Sequence, residues 1–350
     1  MGSATPSPLR RVMRATEYFT LAFGCIIGVG WLVVIDDWLQ AGGPLGAMLA
    51  FLVCGLALVP IALVYGRLAG RMPEAASEIA YTGAVFPPVV SFLTGWSMTF
   101  AALIVCPYEA VAIGRLVGYV IPRLNTLKLY QLGEYPVYLP HLVLGIVLTL
   151  AITIINYRGI RLSARFQTWT TFGLLAVFCV FAPLGWWHGR LDQMQPLFSQ
   201  GPGLTDALLS TLAVLGIAPY FLTGFETVPK CAEEAADAFD PRRFGRIMLL
   251  ALAVGTFFYV TVIAVVAMLY PWQQLQGQDF GTVIAFREAF GSEGLVGLMI
   301  FGAHHRRREK PAPQGTRQAE IIGITPTRAK PRLVSSNPPA FNAVARGVSL

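Results

Sequence analysis

The sequence predicts an all-α polytopic membrane protein with seven transmembrane helices and the start of an eighth. Three observations carry that reading. The 350-residue chain is 55% hydrophobic and only 13% charged, and its mean hydropathy is +0.59, a balance that no ordinary water-soluble domain needs. Apolar runs of about 20 residues, the length that crosses a bilayer, recur seven times along the chain. Two of those runs, the first and the sixth, are interrupted by glycine or proline at matching places.

The first run covers residues 18–39. In its middle, Gly24-Cys25-Ile26-Ile27-Gly28-Val29-Gly30 sets three glycines in seven residues. Lipid offers no water to free backbone groups, so a lipid-exposed span must be continuously helical. Glycine makes the helix easy to open, and an open stretch is tolerated only inside protein or against a cavity. Freed N–H and C=O groups at mid-depth are the material of small-solute and ion sites. A glycine-lined packing face for a neighbouring helix is the other reading of the same residues. The run is too long for a cleaved signal peptide, and no small-residue cleavage site follows it. Asp36 and Asp37, near its outer end, are expected in solvent.

The second run covers 45–65, and the third covers 89–121, long enough to tilt or to project. The third contains Glu109, in Cys106-Pro107-Tyr108-Glu109. An ionisable group inside a span is costly and faces a cavity or a partner. Glu109 reads either as a counter-charge for a substrate amine or as a residue paired with Arg115 or interfacial water. The fourth and fifth runs cover 139–157 and 168–187.

The sixth run, 208–229, contains Ala218-Pro219-Tyr220-Phe221-Leu222-Thr223-Gly224-Phe225-Glu226-Thr227-Val228-Pro229. Each proline removes a backbone donor and clashes with the preceding turn. Glu226 sits either at depth or already at the interface beside Glu233 and Glu234. The seventh run covers 247–270. An eighth begins near Leu295 and stops after about nine residues, too short to cross.

Basic residues fall on alternate sides. Arg10, Arg11 and Arg14 precede the first span, while Arg67 and Arg71 follow the second. Arg158, Arg161 and Arg165 follow the fourth, and Lys230, Arg242, Arg243 and Arg246 follow the sixth. The N-terminus is therefore predicted to be cytoplasmic in a cell (plasma or inner) membrane, which argues against a seven-helix receptor. Trp186, Trp187, Tyr270 and Trp272 stand where interfacial aromatics belong. The five cysteines lack metal-ligand spacing. No nucleophile–base pair or phosphate-cradling loop is visible, so no enzyme, metal, cofactor or nucleic-acid partner is predicted. No ring-forming filter motif suggests a channel.

The interrupted spans are five apart, the spacing of two five-helix repeats of inverted topology that each open with a broken helix. The chain resembles the amino acid–polyamine–organocation permeases over about residues 16 to 303. The matching residues are Gly24–Gly30, Gly42-Gly43-Pro44, the loop Asn156–Ala164, and Gly224-Phe225-Glu226 with Pro229, Ala232-Glu233-Glu234 and Pro241-Arg242-Arg243. The resemblance implies a secondary transporter for an amino acid or related amine, coupled to a proton or another ion. It implies a first repeat over about 17–190 and a partial second over about 205–303. By the same resemblance, the backbone of Gly24, Cys25, Ile26, Ile27, Gly28, Val29 and Gly30 would hold a substrate carboxylate. Carbonyls freed in spans one and six, around Thr223, Gly224 and Phe225, would take its amine. Tyr220 matches an aromatic gate position, and Glu226 matches a carboxylate of proton coupling or gating.

Elementary physics favours the same roles. Amides at the start of a half-helix suit a carboxylate, and a glutamate in a dry cavity can exchange a proton near neutral pH. Three positions depart from the family's pattern. Arg67 stands where relatives carry an acid, Ala75–Tyr81 replaces a glycine pair before a tyrosine, and Gly245 stands where a second proline is usual. The first two bear on the inner gate.

Residues 1–303 hold 17 basic and 17 acidic side chains, whereas 304–350 hold 9 and 2, so this tail carries the whole net charge of +7. A proline-rich basic segment of this kind cannot bury a core and is expected to be disordered. Because it interrupts a span, the sequence reads as a permease truncated or frame-shifted after about residue 303, and a non-transporting remnant is the alternative function. A tail that binds anionic lipid is the other reading of its charge.

Overall fold

The computed structural model describes residues 11–132, 135–275, 278 and 280–291. The eighth run and the tail at 304–350 lie outside the described residues. Among the described residues, six helices are long and apolar enough to cross a membrane. The chain is an all-α, multi-pass membrane protein, with one small β-hairpin that the sequence reading did not foresee.

Span one is divided. Helix α1 (Ala15–Ile26) stops at the glycine motif, and a single turn, α2 (Gly30–Val33), resumes after it. Helix α3 (Ile35–Arg71) runs as one element through Gly43, whose φ of 68° breaks it into the end of span one and the whole of span two. That backbone favours glycine, and Pro44 follows it at the first position of the new helix, where its missing N–H costs nothing. The groups freed by the kink are satisfied by the chain between spans five and six. Leu45 N–H donates to the Leu197 carbonyl at 3.0 Å, and the Ser199 hydroxyl donates to the Ala41 carbonyl at 2.6 Å.

Helix α4 (Glu78–Gly83) lies on the loop after span two, and span three is α5 (Pro88–Val120), opened by proline at its first turn. Strands β1 (Lys128–Leu132) and β2 (Tyr135–Tyr138) pair antiparallel before span four, α6 (Leu139–Tyr157). Span five, α7 (Ile160–His188), begins eight residues earlier than expected, after Gly159 turns the chain at φ 112°. Span six is in pieces: α8 (Leu204–Leu215), α9 (Ala218–Leu222) and α10 (Thr227–Lys230). Span seven is α11 (Arg243–Leu269), and α12 (Gly281–Phe290) follows it.

Small residues let the central helices approach. A Cβ on Gly66 of α3 would collide with the backbone of Gly245 at the start of α11, and one on Gly55 would collide with the Thr256 side chain. This is small-residue packing of the kind that replaces the hydrophobic effect in lipid. Spans one, two and seven form the buried centre, and the third, fourth and fifth turn large apolar side chains outward, among them Phe92, Leu103 and Trp169. Outward-facing apolar side chains are what a lipid-facing surface requires.

Two expectations, about the end of span one and the chain after span seven, are corrected. Asp36 is buried rather than solvated, its Cβ close against Gly281 of α12, whereas Asp37 is exposed as expected. Trp186 and Trp187 are exposed, in keeping with an interfacial place, but Trp272 is buried and its indole N–H donates to the Pro196 carbonyl at 3.2 Å. In both cases a neighbouring loop or helix covers the residue, which a residue count along one span does not reveal.

Candidate functional site

The two interruptions meet. At Gly224 the backbone adopts φ 132°, and a Cβ there would lie 2.6 Å from both the Cys25 carbonyl carbon and the Ile26 nitrogen. Only glycine lets span six touch the opened backbone of span one in this way. Regular helix is lost over 27–29 in the first span and over 223–226 in the sixth.

Successive residues of the glycine motif face different spans. Gly24 packs on Gln167 and Thr171 of α7, and Cys25 on Gly224. The Ile26 side chain sits on Gly255 of α11, while the Ile26 carbonyl, freed by the end of α1, accepts a hydrogen bond from the buried Tyr259 hydroxyl at 3.0 Å. Ile27 is buried, and its N–H still reaches the Phe23 carbonyl at 3.0 Å. Gly28 lies under Glu109, whose Oε1 would be 2.5 Å from a Cβ there. The Val29 N–H donates to Glu109 Oε2 at 3.4 Å. Gly30 receives the edge of the Phe221 ring. The amides of Gly28 and Gly30 have no acceptor among the described residues.

Glu109 therefore reaches the opened backbone, half-buried, with no basic side chain within ion-pair distance among the described residues. Arg115 does not neutralise it directly and instead lies over the Phe280 ring at 5.9 Å. Tyr108, Tyr220 and Tyr259 stand close enough to feel the Glu109 charge. Tyr220 is half exposed and meets Phe221 edge-on at 5.1 Å. Phe221 in turn packs against Trp38 at 4.7 Å, and Tyr259 stacks on Phe51 at 4.9 Å. An aromatic wall from spans one, two, six and seven thus backs the break on the side of α2.

Glu226 is half-buried and turned onto its own segment: Oε2 accepts the Gly224 N–H at 2.6 Å. The Thr227 hydroxyl closes the same turn by donating to the Gly224 carbonyl at 2.6 Å. Thr223 is exposed, its hydroxyl donating to the Tyr220 carbonyl, and the Phe225 ring is buried near Tyr65 at 6.4 Å.

The side of the break nearest the first turn of α1 is covered. Val12 and Met13 donate to the Glu234 carbonyl, and Ala236 N–H donates back to Met13. The Tyr18 hydroxyl donates to the Cys231 carbonyl at 2.8 Å, and Ala75 N–H donates to Glu233 Oε1 at 2.8 Å. The unusual segment after span two is thus tied to the loop after span six, and its Glu78 is buried near Tyr65.

Sequence reasoning missed Tyr259, Phe221, Gln167 and Thr171. The last two both donate to the Thr20 carbonyl, at 3.3 and 3.1 Å. The available signal was a polar side chain in an otherwise apolar run, Tyr259 after two phenylalanines and Gln167 early in span five. No group of three or more His, Cys, Asp or Glu residues suited to a metal occurs among the described residues.

Comparison with known proteins gives consistent matches over the same region. The profile of a family described as amino acid permease matches residues 16–304. A branched-chain amino acid permease of Bacillus subtilis is 27% identical over 307 residues, covering 84% of this chain and 62% of that relative. A methylthioribose transporter of the same organism is 24% identical over 299 residues, with the same two coverages of 84% and 62%. A general amino-acid permease of Candida albicans is 24% identical over 314 residues, covering 84% of this chain and 49% of the relative. The chain thus spans less than two thirds of the length of these relatives.

Proposed function

The chain belongs to the amino acid permease family, and from that premise we propose that its two opened spans bind an amino acid or a related amine as part of a secondary transporter. Proteins of this family move solutes and are not enzymes. The observation that carries the proposal is the contact of Gly224 with the Cys25–Ile26 backbone, which joins the two breaks into one polar site. The unsatisfied amides of Gly28 and Gly30 offer donors to a substrate carboxylate, and carbonyls left free at 221–223 offer acceptors to its amine.

Within this reading, Glu109 is the counter-charge for the amine, Tyr220 is the aromatic gate, and Glu226 couples the site to a proton. The contacts around 12–13, 75 and 231–236 favour an inner side that is closed, in a molecule whose N-terminus is cytoplasmic. Residues 17–190 and 205–303 would belong to two repeats. The test is equilibrium binding: the purified chain in mild detergent is screened by thermal shift against the common amino acids and simple amines. Stabilisation by at least one of them, lost in Gly224→Ala, supports the site. No shift from any compound in the panel overturns it.

A further inference from the structure

A cavity of about 470 Å³ opens beside the first turn of α1, on the face that carries the basic loops. Its lining includes Arg11 and Arg14 from the N-terminal segment and Arg161 and Arg165 from the start of α7, against the single acid Glu17. Glu17 is already engaged, because its Oε2 accepts the Arg14 backbone N–H at 3.0 Å. Arg11 pairs with Asp237 at 3.3 Å. Arg14, Arg161 and Arg165 have no acid partner among the described residues. The cavity therefore carries uncompensated positive charge beside the starts of α1 and α7.

The positions along α7 say what kind of anion fits. At 100° per residue, Arg161, Arg165, Trp169, Leu162 and Phe166 follow one another around a single arc of the helix. The opposite arc carries Gln167 and Thr171, which are hydrogen-bonded to α1, and Thr168, bonded to Thr20, lies between the two arcs beside Arg161. Leu162 and Phe166 are each 43% exposed, and Trp169 is 75% exposed. A headgroup held by the arginines would thus have its acyl chains running directly onto an exposed apolar stripe about 12 Å long.

We propose that this cavity is a binding site for the phosphate headgroup of an anionic phospholipid, with its chains lying along Leu162, Phe166 and Trp169. Guanidinium groups bind phosphate oxygens in pairs, and basic pockets between membrane helices bind acidic headgroups. The adjoining apolar stripe favours a lipid over free phosphate, which has no use for it. Since the lining joins α1 to α7, a bound lipid clamps the inner half of the broken span to span five. The proposal does not depend on the identity of the transported solute.

The test uses the 350-residue chain in mild detergent, with bound lipid read by native mass spectrometry. Phosphatidylglycerol, phosphatidylcholine and inorganic phosphate are titrated in parallel. Phosphatidylglycerol is expected to stay bound where phosphatidylcholine is lost. Arg161→Gln with Arg165→Gln should weaken its retention at least tenfold, and Arg165→Gln by itself should weaken it about threefold. Arg242→Gln, which changes an exposed arginine outside the cavity, should leave retention unchanged. Equal retention of phosphatidylcholine, an equal loss in Arg242→Gln, or displacement by equimolar inorganic phosphate would each overturn the proposal.

Discussion

Glu109, on the third span, places Oε2 3.4 Å from the amide nitrogen of Val29, 80 residues away on the opened stretch of the first. A carboxylate without a counter-ion is costly inside a span. This one rests on two of the features that make the break useful, a freed amide and a glycine with room above it. On the proposed reading, a substrate amine would complete the arrangement.

Glu109→Gln keeps an acceptor for Val29 and removes the charge. Binding of lysine, which carries an additional cation, is expected to weaken about tenfold, equivalent to about 1.4 kcal/mol. Leucine binding should change by less than that. Undiminished binding of both amino acids, measured by radioligand binding, would mean that Glu109 only shapes the cavity.

Gly224→Ala should be severe. A side chain at φ 132° is strained by about 1–3 kcal/mol, and its Cβ would also drive against the backbone of Cys25 and Ile26. Lower thermal stability and loss of ligand-induced stabilisation are expected together. Gly216→Ala, where the nearest atom to a Cβ is 3.8 Å away, should change neither.

Tyr259→Phe removes the donor to the Ile26 carbonyl and leaves the ring on Phe51. A buried acceptor left unsatisfied costs about 1–3 kcal/mol. The melting temperature should fall while far-UV circular dichroism stays unchanged. An unaltered melting temperature would show that water or another donor takes over the Ile26 carbonyl.

Glu226→Gln should preserve the turn, because the amide oxygen can still accept the Gly224 N–H. Ligand binding at a fixed pH should survive, whereas any dependence of binding on pH should flatten. A pH profile identical to that of the unchanged chain would leave Glu226 a local brace for the span-six turn. Glu226→Ala, which removes the acceptor, separates the roles: a brace predicts loss of stability at every pH.

The membrane class, the approximate places of most of the described apolar runs and the two breaks were legible in the sequence, whereas the start of span five was placed eight residues late. Each depends on local chemistry: apolar length against bilayer thickness, and glycine or proline against the continuity of a helix. Span four was legible to the residue, 139–157, because Pro140 and Gly159 mark its ends. Tertiary structure decided which groups complete the breaks. Tyr259 meets Ile26 across 233 residues, and Gln167 meets Thr20 across 147. Burial of Asp36 and Trp272 likewise depends on α12 and on the chain near Pro196. A backbone interruption is written in the residues that make it, whereas its hydrogen-bond partners depend on how separate helices pack, and residue spacing along one helix carries no record of that.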